Sequence, residues 1–284
     1  MSDFIKSEAL IYKYSEADVE ASTGREAALR GIDLEIPAGS FTAIVGPNGS
    51  GKSTFARHLN ALLVPTEGRV FVDGMDTSDE ANLLPVREKA GMVFQNPDSQ
   101  IIGGTVEEDA AFGPENLGIP SREIRKRVRE SLRDLGVSKY AKKSPNTLSG
   151  GEKMRVTIAG ILAMDPECLI LDEPTAMLDP EGRASVMEAI TQLNKERHTT
   201  VILVTHFMEE AALADRIIVM DKGKIAADGS PEEIFSDVEW IRSLGLSIPP
   251  AAEIAEKLRA GGMPLSKGIY SEKGLTEAIE EVWN

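Results

Sequence analysis

Short apolar runs along the chain alternate with amphipathic stretches of helical length. Four of the apolar runs have the length of buried strands. They span residues 41–45, 89–95, 168–175 and 199–206. Strands that alternate with helices in this way favour a mostly parallel sheet.

Other segments alternate apolar and polar positions, as antiparallel strands with one buried face do. Residues 29–40 and 68–76 follow this pattern, and residues 4–14 are predicted as a further strand. The segment 216–230 predicts a hairpin whose turn lies at 221–223. We therefore expect an antiparallel β portion beside the parallel sheet.

Helices are predicted where apolar residues recur at helical spacing. The segments are 55–63, 119–137, 148–164 and 181–197, with further helical pieces near 250–260 and 275–283. We expect Ser121 to cap the second of these segments. The apolar face of that segment consists of Ile124, Val128, Leu132 and Leu135. Ser230 and Glu233 form the capping-box pattern that starts another helix.

Changes in character along the chain suggest its division into parts. Residues 15–27 are polar and acidic and predict a surface loop. Residues 96–147 interrupt the strands and are interpreted as the start of a helical subdomain that extends to about residue 165. The tail after Ser230 carries no chemical motif. We predict a main domain over residues 1–230 and a small, mostly helical C-terminal extension over residues 231–284.

A glycine-rich segment, Gly46–Thr54, lies between a predicted strand and a predicted helix. Strand, glycine-rich turn and helix, in that order, form the context of a phosphate-binding loop. Glycine lets successive backbone N–H groups point at phosphate oxygens, and the helix N-terminus adds partial positive charge. Lys52 can reach the β and γ phosphates, and the Ser53 hydroxyl suits Mg²⁺. The predicted nucleotide-binding residues here are Gly46, Pro47, Asn48, Gly49, Ser50, Gly51, Lys52, Ser53 and Thr54.

Polar side chains end three other predicted strands. Asp172 and Glu173 follow one of them, and the ligands of a parallel sheet bind beyond the carboxyl ends of its strands. We expect Asp172 to join Ser53 in a Mg²⁺ site and Glu173 to polarise a water against the γ-phosphate. His206 ends a strand expected beside these, which would place it near the γ-phosphate. Gln95 ends a further strand, and its amide can contact both Mg²⁺ and water.

Composition narrows the classes of partner. The chain has 31 Lys and Arg against 46 Asp and Glu, a net charge of −15. Such acidity disfavours sequence-independent binding to nucleic acid and direct adsorption on anionic lipid. No apolar run approaches the length of a membrane-spanning helix, and MSDFIKSEAL lacks a signal-peptide pattern. Cys168 is the only cysteine, which fits a reducing cytosol. Any membrane role is therefore expected to come through a partner.

The order and spacing of these motifs resemble those of an ATP-binding cassette (ABC) ATPase. The resemblance covers about residues 4–230 and includes the phosphate loop, Gln95, LSGGE at 148–152, LILDE at 169–173, MLD at 177–179 and His206. It implies an α/β P-loop NTPase fold that binds and hydrolyses ATP. In this family two nucleotide domains close head to tail on two ATPs. The phosphate loop of one subunit and the LSGG turn of the other hold each ATP.

The sequence also contains candidate residues for the second half of that shared site. Ser149, Gly150 and Gly151 start a helix, so their N–H groups and the helix dipole favour a γ-phosphate. The chain has one loop of the Lys52 type, so pairing across a dimer gives the second anion-binding turn a use. Glu152 stands where the family usually has Gln, and we expect ATP binding and turnover to survive this difference.

Two further positions take roles from the resemblance alone. Tyr14 matches the aromatic side chain that stacks on adenine, with Tyr12 as the alternative. Asp179 matches the family's D-loop position, which would contact the partner subunit.

Residues 96–120, NPDSQIIGGTVEEDAAFGPENLGIP, carry a closer resemblance. This stretch, TAMLDP at 175–180 and the tail are similar to the ATPases of energy-coupling factor (ECF) transporters, prokaryotic importers of vitamins or transition-metal ions. The partners implied are a second ATPase (paralogue or self), a transmembrane coupling protein and a substrate-binding membrane protein. The implied location is peripheral, on the cytoplasmic face of the cell membrane. The C-terminal extension of this group helps to hold the ATPase pair together.

Three consecutive acids, Glu107, Glu108 and Asp109, lie near the groove in which an ECF ATPase docks an arginine-bearing helix of its membrane component. Carboxylate–arginine pairs are strong and directional. Acids are also favoured at the start of any helix. The sequence leaves both interpretations of this cluster open.

Rival functions share the same fold. A soluble ABC protein outside transport usually carries two cassettes or a long coiled-coil insertion, and neither is present in this sequence. A non-hydrolysing nucleotide-gated module is disfavoured by intact Asp172, Glu173 and His206. An ATPase of another ABC importer class is a further alternative. The identity of the transported substrate and of the partner ATPase is not encoded in these motifs.

Overall fold

The computed structural model describes residues 3–14 and 27–283. The surface loop predicted at 15–27 therefore lies, apart from Ala27, outside the described residues. The strands of the described part are β1 (Asp3–Tyr12), β2 (Leu29–Pro37), β3 (Phe41–Val45), β4 (Glu67–Val72), β5 (Met75–Asp76), β6 (Ala90–Val93), β7 (Cys168–Asp172), β8 (Thr200–Val204), β9 (Arg216–Asp221) and β10 (Lys224–Gly229).

The helices lie between and after these strands. They are α1 (Lys52–His58), α2 (Leu83–Lys89), α3 (Val106–Asn116), α4 (Ser121–Asp134), α5 (Gly150–Leu162), α6 (Pro180–Arg197), α7 (Met208–Ala211), α8 (Pro231–Ile234), α9 (Val238–Ser243), α10 (Pro250–Ala260) and α11 (Glu272–Trp283). Within the described ranges, no helix combines the length and apolarity needed to cross a membrane.

The strands form two sheets, and the predicted α/β class is confirmed. The larger sheet has the order β10-β9-β3-β8-β7-β6, and its pairs from β9 to β6 are parallel. The smaller sheet has the order β2-β1-β4-β5 and is antiparallel throughout. The segment predicted as one strand over 68–76 is in fact a hairpin, because the chain turns at Asp73 and Gly74 between β4 and β5.

The central strands of the larger sheet are buried on both faces, which explains their continuous apolar sequences. Every residue of β3, β7 and β8 is buried. Successive side chains of a strand point to opposite faces. Leu169 and Leu171 accordingly join the apolar core formed with α3 to α6, whereas Ile170 joins the core under the smaller sheet and α1. The sheet thus separates two apolar cores.

The helical subdomain is built from α3, α4 and α5, with Ile124, Val128 and Leu132 of α4 buried as predicted. The prediction of Ser121 as the N-cap is wrong. Pro120 occupies the cap position, and its carbonyl accepts hydrogen bonds from the N–H groups of Glu123 and Ile124. Ser121 is therefore already the first helical residue.

The tail begins as predicted, with a complete capping box between Ser230 and Glu233 at the start of α8. Helix α9 was not predicted. Side chains of α8 and α9, with Phe235 between them, belong to the same core as α3 to α6. Helices α10 and α11 enclose a separate small cluster that includes Ala255 and Leu275. The domain boundary at residues 230 and 231 stays a prediction.

Replacing Phe235, which is 1% exposed, tests whether the start of the tail is part of the main core. We expect Phe235→Ala to lower the free energy of unfolding by about 3–5 kcal/mol, because it leaves a cavity. Trp283, which is 80% exposed at the end of α11, is the control. Trp283→Ala should stay within about 0.5 kcal/mol of the parent chain. Urea unfolding measures both, and equal small losses would contradict the packing described.

Candidate functional site

Parallel pairing brings the ends of β3, β7 and β8 to one edge of the larger sheet. Val204 of β8 stands opposite Ile44 of β3 on one side and Asp172 of β7 on the other. The residues that follow these strands therefore emerge side by side. The sequence predicts this adjacency for the strand that precedes His206, and the pairing confirms it.

The phosphate-binding loop joins β3 to α1. Gly51 has a left-handed φ of 101° and directly precedes α1, so the chain turns sharply into the helix. The Lys52 ammonium donates hydrogen bonds to the carbonyls of Gly46 at 2.8 Å and Pro47 at 3.1 Å. Burial lowers the pKa of Lys52, and the carboxylates of Glu173 and Asp172 act in the opposite sense. The ammonium is thus held inside the loop by the backbone that the sequence predicts to surround phosphate.

The two side chains predicted to share a metal ion lie together. The Ser53 hydroxyl donates to Asp172 Oδ1 at 2.8 Å, across 119 positions of sequence. Asp172 is buried, and this burial raises the pKa of its carboxyl, while the bond from Ser53 lowers it. A hydroxyl and a carboxylate are hard oxygen ligands of the kind Mg²⁺ prefers. The donor set therefore fits Mg²⁺.

Glu173 and His206 form a second pair at the same edge. Glu173 adopts a left-handed φ of 51°, uncommon for a residue other than glycine, and its N–H donates to the Val204 carbonyl at 2.9 Å. One carboxylate oxygen of Glu173 lies 3.4 Å from Nδ1 of His206. Strained backbone conformations cluster at functional sites. The geometry is compatible with the catalytic roles predicted for this pair.

Gln95 lies two residues beyond the end of β6 and is exposed. The strand is thus shorter than the predicted 89–95. Gln100 was not predicted as part of the site; its Oε1 accepts a hydrogen bond from the Phe94 N–H at 2.8 Å. Gln100 ties the loop that carries Gln95 back to the end of β6. No pattern in the sequence distinguishes Gln100 from an ordinary loop amide.

The LSGG turn starts α5 with a capping box. Ser149 Oγ accepts from the Glu152 N–H, and a Glu152 oxygen accepts from the Ser149 N–H at 2.9 Å. The Tyr140 hydroxyl donates to the other Glu152 oxygen, and these bonds lower the pKa of Glu152. Since Ser149 Oγ accepts here, its own proton is available to a phosphate oxygen. The first N–H groups of any helix lack intrahelical partners, which adds Gly150 and Gly151 as donors.

The LSGG turn makes no direct polar link to the phosphate loop. Among the described residues, no hydrogen bond or ion pair joins residues 46–54 to residues 149–152. Asp179, which caps α6 by accepting from the Gly182 N–H at 2.9 Å, lies exposed beside the likewise exposed Met177.

Both candidate aromatics lie against α1. The hydroxyls of Tyr14 and Thr54 share a hydrogen bond of 2.9 Å. The Tyr12 ring packs edge-on against His58, with centroids 4.7 Å apart, and joins the core beneath the smaller sheet. The Tyr14 ring is exposed and meets Tyr12 edge-on at 5.0 Å. Tyr14 is therefore the more exposed of the two rings, whereas Tyr12 packs against the core.

Known proteins are similar to this chain over nearly its whole length. The energy-coupling factor transporter ATP-binding protein EcfA1 of Symbiobacterium thermophilum is 52% identical over 281 residues, covering 99% of this chain and 98% of that protein. The EcfA1 protein of Clostridium perfringens is also 52% identical, over 98% of each chain. The solved structure of cbiO1 from Clostridium perfringens, described as part of the ABC transporter complex cbiONQ, has a TM-score of 0.76 at 38% identity. The match covers 90% of this chain and 100% of the cbiO1 chain.

Fold and site together define a P-loop nucleotide hydrolase. Residues 29–176 match the family model described as ABC transporter. A dimeric ATP-binding cassette solved in a post-hydrolysis state with ADP and Pi has a TM-score of 0.68 at 33% identity, over 80% of this chain and 98% of that one. The chain belongs to the ABC transporter family, among the energy-coupling factor ATP-binding proteins, and is an ATPase.

Gly46 offers a steric test of the phosphate loop. A Cβ at Gly46 would lie 2.2 Å from the Met220 carbonyl oxygen, and φ there is 153°. Gly74 also has positive φ, at 75°, but nothing lies within 4 Å of its added Cβ. We expect Gly74→Ala to cost about 1–2 kcal/mol of unfolding free energy from the backbone alone. Gly46→Ala should cost roughly 1–3 kcal/mol more from overpacking and should also weaken ATP binding.

Denaturant unfolding and ATP titration measure both variants. Equal effects of the two substitutions on stability and on ATP affinity would contradict the close approach of Met220 to the loop.

Proposed function

We propose that this chain is the ATP-hydrolysing subunit of an ECF-type importer of a vitamin or a transition-metal ion. The observation that carries the proposal is a phosphate loop and, in the same chain, a second helix-start turn at Ser149 that has no polar link to it among the described residues. Two such chains, joined head to tail, would complete two identical sites. The names of the 52% identical relatives support the transporter class. In this class the substrate is selected by a separate membrane protein.

Hydrolysis within the site depends mainly on positioning and charge. Ser53, Asp172 and Gln95 would hold Mg²⁺, which supplies positive charge to the phosphate oxygens when bound. Lys52 would leave its backbone carbonyls for the β and γ phosphates. Glu173 would orient and polarise the attacking water, with His206 3.4 Å away on the γ-phosphate side.

The partner ATPase would supply the other half of each site. Its equivalent of Ser149 donates the hydroxyl proton that the capping box leaves available, and the following glycines add two N–H groups. Asp179 and the exposed Met177 lie on the loop that would face the partner. The base of ATP would stack on Tyr14, the more exposed of the two rings, in preference to Tyr12.

A groove beside the Gln95 loop is suited to a helix of the membrane partner. Its lining includes three exposed apolar side chains, Leu84, Ile102 and Phe112. Of the acidic cluster, only Asp109 lines this groove, where Glu88 joins it. Asp109 is fixed by the N–H groups of Ile102 and Gly103, at 2.8 and 2.9 Å. Apolar contacts and a fixed carboxylate are what an arginine-bearing amphipathic helix would need.

Glu107 and Glu108 do not take part in this groove. Both line a different groove, between α3 and α4. Glu107 pairs with Lys142, and Glu108 closes the capping box with Thr105 at the start of α3. For these two acids, the interpretation as a solvated helix start is the better one. Docking of a membrane component in the groove lined by Leu84, Ile102 and Phe112 would place the chain at the cytoplasmic face of the membrane. Helices α10 and α11 of the extension would help to hold the ATPase pair together.

Glu173→Gln tests the hydrolytic role. The amide keeps the shape of the side chain but polarises water poorly, so we expect ATP affinity within about twofold and turnover reduced by a factor on the order of 100–10,000. The ATP-bound variant should elute as a dimer in size-exclusion chromatography. Wild-type turnover in this variant would refute the role.

Membrane co-purification tests the transporter assignment. We expect the tagged wild-type chain to recover a membrane protein from native membranes, and Phe112→Ala to reduce that recovery by roughly tenfold, as loss of an interface anchor does. Leu213→Ala is the control, because Leu213 is equally half-exposed but lies outside the groove. ATP binding should be unchanged in both variants. Undiminished recovery with Phe112→Ala would contradict the docking groove, and no membrane protein recovered by the wild type would contradict the transporter assignment.

A further inference from the structure

A buried carboxylate lies beside the two segments that carry Glu173 and His206, at the edge of the larger sheet where β7 and β8 end. Glu210, in the short helix α7, is 4% exposed, although it carries an ionisable group. Burial raises the pKa of its carboxyl, and hydrogen bonds from two threonines lower it. Buried carboxylates are rare unless they are paired or fully hydrogen-bonded. The sequence HFMEEA presents Glu210 as one of two adjacent helix-start acids, so nothing in it marks this burial.

The two oxygens of Glu210 bind two different segments of the site. Oε1 accepts from the Thr175 hydroxyl at 2.5 Å, and Oε2 accepts from the Thr205 hydroxyl at 2.6 Å. Thr175 lies two residues after Glu173, and Thr205 directly precedes His206. One carboxylate therefore bridges the segment that carries Glu173 and the segment that carries His206.

Thr205 extends this bridge to the rest of the edge. Its N–H donates to the carbonyl of Ile44 at 3.2 Å, at the end of the strand that leads into the phosphate loop. Its hydroxyl oxygen also accepts from the Phe207 N–H at 3.0 Å. The backbone on both sides of His206 is thus anchored, through Thr205, to Glu210 and to β3.

The charged groups around Glu210 favour a fixed carboxylate. Arg183 of α6 and His206 both lower the pKa of Glu210. The Arg183 guanidinium stacks on the Phe207 ring, 3.9 Å from its centroid. Arg183 is one helical turn past Asp179, and the backbone N–H of Arg183 donates to the Asp179 carbonyl at 2.9 Å. The loop that would face the partner ATPase is therefore tied into the same cluster.

We propose that Glu210 is a positioning residue for ATP hydrolysis: by bridging Thr175 and Thr205, it sets the separation of Glu173 and His206. This role rests on the functions proposed above for those two residues. Misplacing a catalytic group by about 1 Å can cost on the order of a hundredfold in rate. The phosphate loop makes no hydrogen bond to Glu210, so ATP affinity should be independent of the bridge.

The test compares variants at Glu210 in the full-length ATPase. We expect Glu210→Ala to lower kcat by about 10–100-fold, with the ATP dissociation constant within about twofold of wild type. Glu210→Gln should recover most of that loss, because its amide can accept from one threonine and donate to the other. Glu209→Ala is the matched control, since Glu209 is an exposed acid on the same helix. Wild-type kcat in Glu210→Ala would overturn the role.

A double-substitution cycle separates positioning from general stabilisation. With Glu173→Gln already present, adding Glu210→Ala should reduce the residual turnover by less than about twofold, because the group being positioned is absent. A full multiplicative loss, or a parallel loss of ATP binding, would show that Glu210 acts only on the fold. If Glu210→Ala fails to fold, Thr175→Val removes one of the two bonds, and the same kcat loss at unchanged ATP affinity is expected.

Failure of this inference is distinguishable from failure of the proposed function. If the wild-type chain hydrolyses ATP and the Glu173→Gln chain does not, the proposed catalytic roles stand. Wild-type kcat in Glu210→Ala would then contradict only the positioning role of Glu210.

Discussion

The parallel register of β3, β8 and β7 is the constraint on which the site depends. Because Val204 stands between Ile44 and Asp172, the chain beyond each strand emerges at one edge of the sheet. Groups that are more than a hundred residues apart in sequence then come within hydrogen-bond distance, as Ser53 and Asp172 do. A shift of one residue in this register would reverse the facing of every side chain along the shifted strand. Complete burial of these strands makes such a shift costly.

Within one chain, the two groups of candidate phosphate-binding residues are not linked to each other by polar contacts among the described residues. The phosphate loop and the carboxylates of one chain can hold a nucleotide, but the serine-led turn at α5 has no polar link to them among the described residues. As proposed above, this turn would instead contribute to the nucleotide site of a second copy or a paralogue. A nucleotide bound between two ATPases would then contact both of them. The groove near Gln95 and Gln100 would transmit the resulting conformational change to a membrane partner.

Local pattern predicted most of the fold and the meeting of the site's strand ends at one edge of the sheet, and what it missed has physical causes. The apolar strands and the glycine-rich loop are strong local signals. The sequence left the role of Glu107, Glu108 and Asp109 open, because the groove that each carboxylate lines is set by segments distant in sequence. Glu210 was missed because its partners, Thr175 and Thr205, come from two other segments of the chain. Burial of a charge is a tertiary property that no short pattern records.

The most direct measurement is a structure of the chain with its partner ATPase and a non-cleavable ATP analogue, at a resolution that locates the γ-phosphate. We predict that Lys52 of one subunit and the serine-led turn of the other both lie within hydrogen-bond distance of the same triphosphate. An assembly in which those two elements face away from each other, with the analogue held by one subunit alone, would contradict it.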